Sequence, residues 1–408
     1  MNRHIIFYII AILFVLTQTI PPVNIIMPFN PSVEFAVFDV ITLLLFSNLL
    51  LKKSVIAMFL YGLIMFLYYL AGNAFFDTIA TVIVPFLVML SGLLLIEYTL
   101  AYDNKNYVFT RIIIMVVIFS NIIMTIISIP QVFLIPNIIR PSSQDLIYGE
   151  EEYYWIIKYA TCHGLTFFFA PLMFLCRKTY HNNKWLCLFW FLVSALLLYI
   201  VFLSNATTPL LISIVMIVFG LVFKGEKITN KTVWAIILVG IVFLFVSQPK
   251  VTVPIINTAQ QLMNPASRNY TKMDEIRDAV IYGDSDGDLG ARQDLYATST
   301  DLFIESPLTG TYSPERISHH SWIIDRLACF GIILFIPIFL IFYFHIKSTY
   351  KRFTHTKLIY SISFLGFIIM LILKNEFGAG TWLYGFAFLP VLCRYIDYVI
   401  DNKLIIKK

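Results

Sequence analysis

Residues 111–135 read RIIIMVVIFSNIIMTIISIPQVFLI, a stretch whose only charge, Arg111, stands at its first position. An α-helix needs about 20 apolar residues to cross a hydrocarbon core about 30 Å thick, and this run is long enough. Polar and apolar residues do not alternate with period two, so a strand of a membrane β-barrel is excluded. The rest of the chain repeats the pattern. Of 408 residues, 59% are hydrophobic and 13% charged, whereas a soluble domain carries about 25% charged residues. A single water-soluble core cannot hide that much apolar surface. The expectation is an all-α polytopic membrane protein of about twelve transmembrane helices, spanning Ile5–Ile20, Phe35–Leu51, Ser54–Ala71, Thr78–Leu100, Arg111–Ile135, Ile156–Cys176, Trp185–Ser204, Thr208–Phe223, Thr232–Gln248, Trp322–His345, Leu358–Leu373 and Thr381–Tyr395. Ile5–Ile20 follows Arg3 and lacks a small-residue cleavage site after it, so it reads as a retained span.

The cations order these spans. With a cytoplasmic N-terminus, 19 of the 29 basic residues fall in inside segments, as insertion orientation requires. Six more lie in one long loop, where that rule does not apply. Both termini are therefore expected in the cytoplasm. The net charge of +5 is spread through connectors and forms no basic domain, so nucleic acid is not an expected partner. The five cysteines, Cys162, Cys176, Cys187, Cys329 and Cys393, all lie in predicted spans and read as apolar packing residues.

The long loop, Pro249 to Ser321, divides the chain into a bundle over 1–248, an extracytoplasmic lobe over 249–321, and a second bundle with a cytoplasmic tail over 322–408. The lobe holds 6 basic and 10 acidic residues and is too long for a plain connector. Helical patterning recurs in it at Met273–Tyr282 and Arg292–Glu305. Asp284-Ser-Asp286-Gly-Asp288 opens like a calcium loop, but the sixth and twelfth positions are Leu289 and Leu295, where an EF-hand needs Gly and Glu. It reads as an acidic turn.

The end of the lobe carries the chemistry: Arg292-Gln-Asp-Leu-Tyr296, then Ser306-Pro307-Leu-Thr-Gly310, then His319-His320-Ser321, Asp325, Ala328 and Gly331. This stretch resembles the O-antigen ligase and Wzy-type polysaccharide polymerase superfamily. Members show an Arg, a following aromatic, a Pro-Leu-x-Gly turn, and a His that opens a helix with Gly eleven residues on. His320 and Gly331 keep that interval, and Ser321, Asp325 and Ala328 fit a variant of the pattern. The match covers about 40 residues; many spans with one large late loop extend it loosely over the rest.

The resemblance implies a C-type glycosyltransferase-like fold in a bacterial cytoplasmic membrane. It also implies metal-independent, inverting transfer of a glycan from undecaprenyl pyrophosphate, with no cofactor. The expected substrates are lipid-linked oligosaccharides, with membrane lipids, a flippase and a chain-length regulator of the same pathway as further partners. His320, or His319 beside it, would take the acceptor proton, since an imidazole titrates near neutral pH. A guanidinium matches phosphate oxygens with a planar fork, which makes Arg292 the first candidate for the pyrophosphate, with Arg316 and Arg326 behind it. Many members carry a Ser-Arg pair where this chain has Ser204-Asn205; Lys158 is the residue proposed to supply the missing cation.

Each residue also has a plainer role: a helix cap for His320, a solvated charge for Arg292, snorkelling or pairing near Asp325 for Arg326, a structural turn for Pro307 and Gly310. Three activities remain open. A polymerase and a ligase differ only in acceptor, and a flippase would use the same lipids without cleaving them. A flippase favours repeated halves and interrupted, charged helices, and this sequence shows no repeat. Cysteines placed between Pro249 and Ser321 are expected to react with membrane-impermeant maleimide in intact cells, while cysteines near Lys351 are not. Protection of the loop cysteines would remove the topology on which the reading depends.

Overall fold

The computed structural model describes residues 2–26, 31–72, 79–103, 106–135, 138–139, 156–180, 183–223, 249–261, 263, 265, 268–282, 288–311, 316–318, 320–374 and 379–402. Among them every regular element is helical. The first ten helices are α1 (Arg3–Thr19), α2 (Pro21–Ile26), α3 (Pro31–Leu45), α4 (Lys53–Leu70), α5 (Ile79–Tyr102), α6 (Val108–Leu134), α7 (Tyr159–Leu165), α8 (Phe169–Tyr180), α9 (Lys184–Leu203) and α10 (Thr207–Val222). The lobe contributes α11 (Pro249–Gln261), α12 (Arg268–Tyr282) and α13 (Asp288–Glu305); α14 (Trp322–Tyr350), α15 (Lys357–Leu373), α16 (Ala379–Leu383) and α17 (Leu389–Asp401) complete the chain.

Among the described residues, seven stretches are long and apolar enough to cross a membrane: Lys53–Leu70, Val82–Tyr102, Val108–Leu134, Tyr159–Tyr180, Lys184–Leu203, Trp322–Tyr350 and Gly380–Asp401. The apolar helices α1, α10 and α15 are shorter. The expected span Thr232–Gln248 lies outside the described residues. Two stretches are composite. A 3-10 turn, Thr166–Phe168, joins α7 to α8, and a π turn, Tyr384–Phe388, joins α16 to α17.

The last helix runs to Asp401 rather than ending at Tyr395, because its charges are satisfied inside the protein. Asp397 accepts the Thr354 and His355 backbone N–H groups at 2.7 and 3.1 Å. Arg394 donates to the Asp103 carbonyl at 2.7 Å and stacks over Tyr107 at 4.9 Å. Both are buried. The lobe is also more helical than its patterning suggested: α11 begins at Pro249, and α12 and α13 start several residues before the expected Met273 and Arg292.

Contacts between distant residues define two ends of the bundle. At one, Trp322 lies 6.2 Å from Trp382, the Trp322 N–H donates to the Lys374 carbonyl, and Thr381 donates to the Ala160 carbonyl. At the other gather His4 with Tyr98, Arg111 with Tyr398 and Arg394 with Asp103. Between them the core is aromatic; Trp382 stacks on Phe386 at 4.6 Å, and Phe342 lies 5.8 Å from Trp382. In lipid such packing holds by van der Waals contact rather than by release of water.

Inside α14 the backbone breaks. Gly331 has φ 64° and ψ −166°, a conformation that L side chains rarely adopt. In an unbroken helix the Ile332 N–H would bond the Ala328 carbonyl and the Ile333 N–H the Cys329 carbonyl. Here Ile332 donates to the Pro307 carbonyl at 2.9 Å and Ile333 to the Leu308 carbonyl at 3.2 Å, while the Ala328 carbonyl accepts from the Thr311 N–H at 3.0 Å. The Tyr68 hydroxyl of α4 reaches the Phe330 carbonyl at 3.1 Å. The Pro307–Gly310 turn thus replaces the missing turn of α14. It fits because neither partner has a side chain at the crossing: a Cβ on Gly310 (φ 77°) would collide with the Cys329 carbonyl, and one on Gly331 with the Leu308 backbone.

Gly331→Ala and Gly310→Ala are each expected to destabilise the detergent-solubilised protein by about 1–3 kcal/mol from backbone strain alone. A Cβ on Gly92 would meet Leu383 and Trp382 at an ordinary 3.6 and 3.7 Å. Gly92→Ala is therefore expected to be neutral or to stabilise by up to about 1 kcal/mol. Thermal unfolding of the three variants checks this; equal melting temperatures would contradict the interlock.

Candidate functional site

Two turns before the break, α14 begins with a buried acid. Ser321 caps the helix, its Oγ accepting the Ile324 N–H at 3.1 Å, as serine does at this position. Asp325, one turn in, is 3% exposed. An isolated carboxylate at such a place is costly, and the chain surrounds it with donors. Oδ1 accepts the Ser299 hydroxyl of α13 at 2.7 Å and the Ser318 hydroxyl at 2.6 Å; Oδ2 accepts the Ser321 N–H at 3.1 Å. The two serines are linked in turn, since the Ser318 N–H donates to Ser299 Oγ at 2.8 Å. The His320 N–H donates to Ser318 Oγ at 3.2 Å. A non-helical segment is thereby fixed through its backbone at the Trp322 end of the bundle.

His320 is half-buried on that segment. His319 lies outside the described residues, and of Arg292 only the backbone is described, within α13. Arg292 stands four residues before Tyr296 and seven before Ser299, positions that share one helix face. Tyr296 donates from its hydroxyl to the Leu373 carbonyl at 2.9 Å, so α13 is tied to α15 by one residue of this face and to α14 by another. The helix that carries Arg292 is therefore held against the segment that carries His320.

The other candidates separate. Arg316 is exposed and pairs with Glu305 at 3.4 Å. Arg326 is the next residue of α14 after Asp325. Its guanidinium stacks over Trp322 at 5.6 Å and Phe330 at 5.9 Å, and its charge is felt at Tyr61 of α4. Lys158 stands at the N-cap position of α7. It shares the Trp322 end, because Gly380 of α16 packs on the Ala160 backbone while Trp382 packs on Trp322.

Sequence reasoning missed Ser299, Ser318 and Tyr68. One signal was available for the serines. A carboxylate one turn into an apolar helix needs donors, and Ser318 and Ser321 are the nearest in the chain. Tyr68, more than 260 positions from Phe330, left no such trace.

The arrangement suits proton transfer beside an anion. A half-buried imidazole can accept a proton at ambient pH, and the cations Arg316, Arg326 and Lys158 stand at the same end. No family model matches the sequence, and no curated protein matches it.

Because an exposed ion pair contributes about 0–1 kcal/mol, Arg316→Ala is expected to leave the melting temperature within about 2 °C of the parent. Any larger loss of function in this variant then belongs to a lost cation rather than to a lost fold. A drop of about 8 °C or more would make the Glu305 pair structural.

Proposed function

We propose that this chain is a membrane glycosyltransferase that polymerises lipid-linked oligosaccharides into a capsular, exopolysaccharide or O-antigen chain. The observation that supports the reading is that described residues of the resembling stretch meet. Ser299, Ser318 and Ser321 gather on Asp325, and the Pro307–Gly310 turn bonds to α14 at the Gly331 break. Pattern residues that merely decorated separate loops would have no reason to meet.

In this proposal the chain crosses a bacterial cytoplasmic membrane twelve times, with both termini inside and the lobe outside. The growing glycan on undecaprenyl pyrophosphate is the donor, and a sugar hydroxyl of the next lipid-linked unit is the acceptor. His320 takes the proton of that hydroxyl as its oxygen attacks the anomeric carbon. The bond from that carbon to the pyrophosphate oxygen breaks, and the departing diphosphate keeps the electron pair. Arg292, with Arg326, Arg316 or Lys158, offsets the charge that develops there, which preorganised cations do without reorganisation cost. A ligase would run the same step onto a different acceptor, such as a lipid A core. The flippase reading finds less support, because the sequence shows no repeated halves.

Purified protein in lipid nanodiscs, given a lipid-linked repeat unit and EDTA, is expected to build a ladder of products. His320→Ala is expected to lower the rate at least about 100-fold, the usual share of a general base. Addition of a lipid A core in a parallel reaction separates polymerase from ligase. Ladders of equal intensity from parent and variant would remove His320 from the reaction. Absence of any transfer by the parent, alongside transbilayer movement of the lipid, would favour the flippase.

A further inference from the structure

We propose that Asp325 is a positioning residue that holds the His320 imidazole in place for glycan transfer, an inference that rests on the reaction proposed above. The cluster holds the backbone that carries the ring. Asp325 Oδ1 receives hydroxyls from two directions, Ser299 of the lobe and Ser318 of the connecting segment. Oδ2 receives the Ser321 N–H from the residue after His320. Ser318 Oγ, fixed by the acid, accepts the His320 N–H itself. His320 is thus restrained at its own amide and at the next one, and both restraints end on one carboxylate.

The same acid sets the height of Arg292. Ser299 is the contact of α13 with the cluster, and Arg292 lies two helical turns before it, about 10 Å along the axis. Loss of the carboxylate loosens the His320 segment and removes one tie of α13, whose Tyr296 contact with Leu373 remains. A shift of about 1 Å between reacting groups can cost about 100-fold in rate, so the clamp is expected to act on turnover more than on substrate capture.

The chemistry selects a carboxylate. An ionised acid accepts from all three donors at once, whereas an asparagine accepts with Oδ1 only and turns its NH₂ toward the Ser321 N–H. Asp325→Asn therefore keeps the volume and the two serine hydroxyls but sets donor against donor at the residue next to His320. Ser299→Ala leaves the His320 restraints and cuts the tie to α13.

The test uses full-length protein in nanodiscs with Asp325→Asn, Asp325→Ala and Ser299→Ala, each alone and combined with His320→Ala. Asp325→Ala is expected to lower kcat about 100-fold, with KM within about twofold and with little further loss in the His320→Ala background. Asp325→Asn is expected to fall between Asp325→Ala and the parent. An equal loss in both backgrounds would make Asp325 a stability residue and overturn the proposal.

A second readout does not depend on transfer. Carbethoxylation of His320 by diethyl pyrocarbonate, followed by peptide mass spectrometry, is expected to accelerate at least about threefold in Asp325→Asn as the half-buried ring is released. The rate at His355, at the other end of the bundle, is expected not to change. An unchanged rate at His320 would sink the positioning claim even if the parent is an active transferase. A parent without transfer activity, but with this acceleration, would instead refute the reaction and leave the clamp standing.

Discussion

In a hydrocarbon environment every backbone N–H and C=O must find a partner within the protein, and non-helical backbone is tolerated only where the protein itself surrounds it. Gly331 puts such backbone in the middle of an apolar helix. Everything at this end of the molecule follows from how the freed groups are satisfied. Ile332 and Ile333 lose their intrahelical acceptors and take the Pro307 and Leu308 carbonyls, Ala328 takes the Thr311 N–H, and Phe330 takes the Tyr68 hydroxyl. The turn is therefore a structural part of α14 contributed by the lobe. A lobe joined in this way cannot swing free of the bundle without exposing backbone groups at a cost of several kcal/mol each.

That joint gives the Asp325 cluster its meaning. Taken alone, a buried carboxylate with three donors is a satisfied polar group, and such groups commonly do no more than avoid a penalty. Its donors, however, come from α13 and from the segment that bears His320, the two pieces that the break already holds from below. The carboxylate closes the frame from above. The backbone that bears His320 is held at Ser318, His320 and Ser321, so the entropy of ordering this segment is met by folding.

Hydropathy reveals side chains and not backbone events, which decides what could be read from the sequence. The apolar runs were legible because composition alone demands them, and the seven long helices fall on them. The turn at Pro307–Gly310 was legible from its residue types. The break at Gly331 was not. Trp322–His345 is a continuous apolar run, and one glycine within it registered only as an interval from His320. The end of α17 was misjudged for the opposite reason: Arg394 and Asp397 look like the edge of a span until Asp103 and the Thr354–His355 amides are seen to satisfy them. Arg316 was chosen for its charge, and only the fold sets Glu305 beside it. Ser299 carries no charge and no motif, so nothing local distinguished it from any other lobe serine.

The intervals in the resembling stretch have a mechanical reason. Helices α13 and α14 run side by side in the same direction, joined by two rungs. The first is Ser299 to Asp325 and the second Pro307 to Ile332. Eight residues separate the rungs along one segment and seven along the other, so the two intervals are nearly equal in length. Two rods pinned at both ends must have matching lengths between the pins. One residue inserted on either side would rotate its upper contact by about 100°, turning Ser299 away from the acid or Asp325 away from the serine. The distance from the Arg-bearing helix to the Pro-Leu-x-Gly turn, and from His320 to Gly331, can therefore change only in concert. Both pins can be made together only because the two intervals match.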